Sequence, residues 1–362
     1  LAEKGYKVTI YERRNHIGGN MYDYKDDAGI LVHKYGPHIF HTKKKELYEF
    51  MCRYADWIPY DLTCGAVINK KYTPTPFNFS TIDDFYTEEK AEQLKNEIKK
   101  EFPDQETATV LELLEHKNDL IREYAKFLFD NDYSLYTAKQ WGISPDKIDK
   151  SVLKRVPIRF NYDVGYFDDD FQAMPEVSYT SFFENILNHP DICVKPGEDF
   201  LKHFELNEEQ SEFSCEGKKY CGIIVYTGAI DELFGWKYGK LPYRSLRFEW
   251  KTENKKSFQP APVVAYPQEK DFTRITEYTK LPVQDVGDKT TYAVEYSIPY
   301  SAGSEVEPYY PIPNEENFAL YSKYRNESEK IKGLYLCGRL ADYQYYNMDQ
   351  ALEKAIMLCG NF

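Results

Sequence analysis

The feature that most constrains this 362-residue chain is a strand–glycine–helix passage near its C-terminus. Leu334 to Cys337 is a short apolar run after Gly333, the pattern of a buried parallel strand. Gly338 then allows a tight turn or a close approach of backbone to ligand. Asn347, a helix-capping residue type, is followed three positions later by Gln350. Ala351, Leu352, Ala355 and Ile356 are the expected buried stripe of that helix, and Gly360 its stop. Strand end, glycine turn and helix N-terminus together present free N–H groups and a positive dipole end, which suit an anionic part of a cofactor. The insert before the helix carries Arg339, Tyr343, Tyr345 and Tyr346, too many rings and hydroxyls for an idle connection.

At the other end, Leu1 to Gly5 reads as a helix end stopped by glycine, and Lys7 to Glu12 as a strand finishing in an acid. In a dinucleotide-binding unit that acid follows a glycine-rich turn by about 20 residues. The chain is therefore expected to start partway through the first helix of such a unit, with the glycine fingerprint upstream of Leu1. Glu12 is then the group expected on the adenosine ribose hydroxyls. Arg13 to Asn20 contains a second glycine turn, Gly18-Gly19, fit to approach a pyrophosphate or a flat ring system.

Charge narrows the choice of partner. A formal net charge of −13 disfavours nucleic acid or an anionic membrane, and an anionic substrate then needs its own local arginines. Seven cysteines occur singly, without a C-x-x-C pair, which points to a reducing, cytoplasmic setting. No apolar run approaches the length of a membrane span. His33, His38 and His41 fall within nine residues. Without acids or cysteines at ligand spacing they read as one strand facing a flavin rather than as a metal site.

Between Thr81 and Leu128 the period is helical, with Ala91, Leu94, Ile98 and Phe102 on one face and Leu120, Ile121, Tyr124, Phe127 and Leu128 on another. Ile223 to Gly228 reads as a buried strand that resumes the nucleotide-binding sheet. From Arg244 to Tyr296 the period becomes two, as in an antiparallel sheet, followed by a loop at Glu307 to Pro311. The fold class is thus α/β: a Rossmann-like domain without its first strand and glycine loop, an inserted helical domain and an antiparallel β-sheet domain. Tyr136 and Trp141, with Tyr166 downstream, are placed to stack on a nucleobase. Arg155, between Pro145 and Pro157, falls on an expected closing loop.

The ordered set Arg13–Asn20, Tyr35–His41, Tyr136–Trp141, Thr273-Arg274-Ile275, Pro308-Tyr309-Tyr310-Pro311 and Gly338-Arg339-Leu340-Ala341 resembles the bacterial UDP-galactopyranose mutases along the whole chain. The resemblance implies an FAD-binding domain built from residues 1–60, 185–236 and 313–362, with a helical insertion at 79–148. Sheet-domain segments would fall at 61–78, 149–184 and 237–312. It implies a cytoplasmic homodimer that converts UDP-galactopyranose to UDP-galactofuranose, a precursor of cell-surface glycans. In that reaction N5 of reduced FAD attacks the anomeric carbon and expels UDP, and an external reductant such as NAD(P)H keeps the flavin reduced.

Carried over by motif, Arg155 and Arg274 would clamp the diphosphate, as their planar forks suit. Tyr310 and Tyr345 would donate to the same phosphates, and Tyr136, Thr137, Trp141 and Tyr166 would hold the uridine. Glu12, Arg13 and Asn20 would contact the adenosine and phosphates of FAD, Asp199 and Phe200 its adenine. His38, Ile39, Arg339, Tyr346, Asn347, Met348 and Asp349 would surround the flavin; no metal is implied. Three positions depart from the family's pattern: Asn347 for an acid, Glu176-Val177-Ser178 for a glycine pair, and Asp132 for an apolar or aromatic residue beside the uracil. They leave the reaction in place and open the sugar to a 2-acetamido hexose such as UDP-N-acetylgalactosamine. The competing expectations are an amine-oxidase-type FAD oxidoreductase and a non-catalytic UDP-sugar binder.

Overall fold

The computed structural model describes residues 1–142, 156–209, 211–301 and 306–362. Two parallel strand pairs carry the Rossmann-like part. Val8–Glu12 pairs with Ile192–Pro196, and Ile224–Tyr226 with Leu334–Leu336. Leu334–Leu336 leads into a turn at Gly338 with φ 107°, a backbone region that favours glycine. The helix Met348–Cys359 starts where the capping pattern predicts: the Asn347 N–H donates to Gln350 Oε1 at 2.9 Å. Its expected buried stripe is only half-buried, and Ile356 is exposed, because just one side of the helix meets the Phe40–Thr42 strand and the Lys45–Cys52 helix. Gly360 ends it in right-handed geometry.

The helical insertion packs Phe79–Phe85, Glu88–Glu101, Val110–Leu114 and Asp119–Leu128 around one core. Leu94, Ile98, Ile121 and Leu128 are fully buried in it, each contributing about 1.5–3 kcal/mol of apolar burial. The chain then passes through a π-helical turn, Phe129–Tyr133, into the helix Ser134–Trp141.

A seven-stranded sheet forms the third part. Its order is Tyr310–Pro311, Tyr243–Glu253, Thr290–Pro299, Arg274–Glu277, Val263–Ala265, Cys64–Ile68 and Lys71–Thr75. Three expectations change here. The sheet is mixed, because Val263–Ala265 runs parallel to Cys64–Ala66. The expected loop at Glu307 to Pro311 ends as an edge strand, with Tyr310 opposite Arg244. His33 and His41 do not share a strand: Leu31–His33 and Phe40–Thr42 are separate, and the chain turns between them at Gly36 with φ 97°.

Polar ties seal the insertion onto the sheet. Lys139 Nζ donates to the carbonyls of Tyr266 and Glu269, each at 2.6 Å. Arg244 Nε and Ser297 Oγ both donate to the Gln140 carbonyl, at 3.1 and 2.6 Å. No helix among the described residues is long and apolar enough to cross a membrane.

Candidate functional site

A cleft of about 700 Å³ opens where the three parts meet. One wall is the face of the Phe129–Trp141 segment, which presents Asp132, Tyr136 and Gln140, and beside them Tyr133, Thr137 and Trp141. Both rows run at intervals of four residues, the spacing that aligns side chains on one helical face. The sheet contributes Arg274 and Tyr310, and the connection after Ile158–Arg159 contributes Tyr166. The end opposite the insertion is lined by Asn20, by His38 and Ile39 after the Gly36 turn, and by Arg339, Tyr345, Asn347 and Met348. These thirteen expected residues other than Asp132, Tyr133 and Gln140 therefore share one cavity.

Glu12, Arg13, Asp199, Phe200, Tyr346 and Asp349 do not line it. The first four gather at the paired ends of Val8–Glu12 and Ile192–Pro196, because those strands run parallel in register. There Glu12 Oε1 accepts from the Arg14 N–H at 2.9 Å, Arg13 pairs with Glu232 at 3.4 Å, and Asp199 caps the turn that begins at Phe200. Tyr346 turns its hydroxyl to Asp342 at 3.1 Å, and Asp349 accepts from the Gln350 N–H at 2.8 Å. Arg155 lies outside the described residues.

Arg274 is the best-held charge in the cleft. Its Nε and Nη2 both reach Glu295 Oε2 at 2.9 Å, and Glu295 is 1% exposed. Burial works against the guanidinium's charge, but Glu295, Tyr136 and Tyr310 more than offset it and raise its pKa. The charge is permanent and its direction fixed. Sequence reasoning missed Glu295; the cross-strand register Arg274↔Glu295, a pairing of opposite charges, is the signal that would have found it.

Around Arg274 stand phenols. Tyr310 and Tyr345 stack with centroids 5.8 Å apart, and the Arg339 guanidinium lies over both rings, at 5.2 and 4.9 Å. Burial, then the neighbouring Tyr345, pushes the Tyr310 phenol up to about 12. It is thus a hydrogen-bond donor at neutral pH. Arg339 is oriented by the carbonyls of Tyr346 (2.7 Å) and Tyr309 (3.3 Å). Burial lowers His38 to about 4; with Nδ1 on the Gly36 carbonyl at 2.8 Å it faces the cleft as a neutral ring. Burial likewise raises the Cys64 thiol to about 12, which makes it a poor nucleophile. The cleft offers two fixed cations, several phenolic donors and stacking surfaces, a set suited to hold a nucleotide diphosphate.

Comparison with known proteins points the same way. A UDP-galactopyranose mutase family model matches residues 131–345, and a model of an NAD(P)-binding Rossmann-like domain matches residues 1–54. A probable UDP-galactopyranose mutase of Klebsiella pneumoniae is 33% identical over 364 residues, covering 100% of this chain and 90% of the relative. A UDP-galactopyranose mutase of Mycoplasma genitalium is 35% identical, covering 98% and 89%. A dTDP-fucopyranose mutase of Escherichia coli is also 33% identical, covering 98% and 92%. Among solved structures, a reduced UDP-galactopyranose mutase superposes with a TM-score of 0.73 at 16% identity over 100% of this chain and 90% of that one, a likeness of fold.

Proposed function

The chain belongs to the UDP-galactopyranose mutase family, and on that premise we propose that it interconverts UDP-galactopyranose and UDP-galactofuranose with bound, reduced FAD. The observation that carries this reading is the Arg274–Glu295 pair in the cleft wall, with Tyr310, Tyr345 and Arg339 grouped around it. A sugar leaving group that departs as a diphosphate needs such preorganised donors, and they cost no reorganisation when the charge develops.

The residues present fit a flavin. The Gly36 turn brings backbone to the cleft wall, and Asn347 and Met348 at a helix start supply a positive dipole end there. Arg339 adds a cation on the same side, which favours an anionic reduced ring. Arg339, Asn347 and Met348 would hold the ring end, Glu12, Arg13 and Asn20 the adenosine and phosphates, and Asp199 and Phe200 the adenine. When bound, the reduced flavin supplies the nucleophilic nitrogen that displaces the nucleotide from the anomeric carbon.

The chain's own residues do the rest. Arg274 holds the diphosphate before and after departure, so that it is retained for return to the sugar. Tyr310 and Tyr345 donate hydroxyls to the same oxygens, and Arg155 is the second fork of the proposed clamp. Tyr136, Trp141 and Tyr166 enclose the base, and the cleft keeps water from the opened sugar. Asn347, uncharged at the sugar end, leaves room for a different hexose.

The test is anaerobic incubation of dithionite-reduced protein with UDP-galactopyranose, its 2-acetamido counterpart and dTDP-fucopyranose, with products separated by ring size. Furanose formation without net flavin oxidation is expected for at least the first. Net oxidation of the flavin by the sugar nucleotide, or recovery of pyranose alone, refutes the reading.

A further inference from the structure

Asp132 has no hydrogen-bond partner among the described residues, yet it lines the cleft. It stands in the π-helical turn Phe129–Tyr133. Such turns re-aim a side chain and recur at functional sites. Asp132 heads the row Asp132, Tyr136, Gln140, and Gln140 Oε1 is a buried atom without a partner. Two unpartnered polar groups on the face that carries the stacking rings mark a surface built to meet a polar edge.

We propose that Asp132 is a specificity residue that pairs through its carboxyl with the imide edge of the nucleobase, uracil or thymine, of the bound sugar nucleotide. The inference rests on the sugar-nucleotide reading above. An apolar side chain in its place could offer a base van der Waals contact alone. A protonated carboxyl offers one acceptor and one donor, matching the ring N3–H and the adjacent carbonyl. The ionised form accepts only, so it repels that carbonyl and would suit the donor pair of guanine instead.

The surroundings favour the protonated form. Burial raises Asp132 to about 7 against the pull of Lys139. Lys139 does not bond it, since its ammonium serves the carbonyls of Tyr266, Pro267 and Glu269 and faces Glu269 and Asp271. On the same segment Tyr133 and Tyr136 are phenols raised by burial, hence neutral. The cleft is also lined by Tyr166, Asp168, Lys43, the His41–Asp169 pair and Arg274, whose charge is paired with Glu295.

The experiment measures Kd for UDP and N3-methyl-UDP by calorimetry at pH 6 and pH 8, with the full chain and with Asp132→Asn and Asp132→Leu. Asparagine keeps one donor and one acceptor at every pH, and both proteins see the same phosphate ionisation. Relative to Asp132→Asn, the unaltered chain should lose about tenfold in UDP affinity between pH 6 and 8, as expected for one group titrating near 7. At pH 6, N3-methylation should cost it about threefold to tenfold, and cost Asp132→Leu nothing. Parallel pH profiles, an unpunished methyl group, or tighter binding of GDP than of UDP overturns the proposal. Absence of UDP binding in all three proteins overturns the sugar-nucleotide reading with it, whereas pH-independent binding overturns this inference alone.

Discussion

Arg274 and Glu295 are unequal partners. Glu295 is 1% exposed while Arg274, 24% exposed, opens onto the cleft. Removing the arginine strands a buried carboxylate, a loss of about 3–5 kcal/mol when a buried pair is broken. Removing the glutamate leaves a guanidinium that water can reach. Arg274→Ala should therefore be markedly less stable in urea than Glu295→Ala, and Arg274→Lys should recover much of the loss. Turnover should fall by about 10² or more in both arginine variants, since lysine keeps the charge but not the fork. Near-normal turnover in Arg274→Lys would show that the fork is not needed. His33 is a second residue whose cost is readable. It is fully buried between Tyr179 and Tyr278, its Nδ1 accepts from the His38 N–H at 3.1 Å, and burial holds it down to about 3. A folded-state pKa below the unfolded 6.5 means that the unfolded chain binds the proton first as pH falls. Stability is then lost below about 6.5, by up to about 1.4 kcal/mol per pH unit. The stability of wild type minus that of His33→Gln should fall between pH 6.5 and 5; a constant difference would show that His33 takes up its proton as readily in the fold as in the unfolded chain.

Elements differ in how openly the sequence shows them. The insertion helices were legible because Ile121, Tyr124 and Leu128 recur at helical spacing and are all buried. The turn at Gly338 and the start at Asn347 were legible because glycine and a capping residue act through local backbone chemistry. The half-exposed C-terminal helix was misjudged because periodicity tells which face is apolar, not what covers it. The segment from His33 to His41 was misjudged because its turn rests on one glycine at positive φ, and His33 is buried by Tyr179 and Tyr278 from distant parts of the chain. Tyr310 looked like a loop residue because a two-residue edge strand has no period to read. Most cleft residues were placed through motifs rather than pattern; Gln140 stood inside the Tyr136–Trp141 motif without a role, and Glu295, which holds Arg274 from behind the cleft wall, belongs to no motif. Their importance comes from what they face across the sheet and across the cleft.

At the scale of the molecule, the cleft exists because the insertion is fixed to the sheet, and that seam runs through Gly142. Gly142 ends the Ser134–Trp141 helix at φ 65°, and a Cβ there would come within 2.5 Å of Arg244 Nη1. Arg244 cannot yield freely, as it is 7% exposed and held by the Gln140 carbonyl and Ser297. Gly142→Ala therefore combines left-handed strain of about 1–2 kcal/mol with displacement of the tie that sets the helix against the sheet. The helix face bearing Tyr136 and Trp141 should shift relative to Arg274, while Glu12, Arg13 and Asp199 lie on the parallel strand ends, away from the seam. The expected outcome is several-fold weaker UDP binding, with unchanged flavin content after purification and a lower urea midpoint. Loss of flavin in step with UDP affinity would mean that the Rossmann-like part and the insertion do not respond separately. Unchanged UDP affinity despite lower stability would mean that the base wall is held by the insertion's own core rather than by its seam with the sheet.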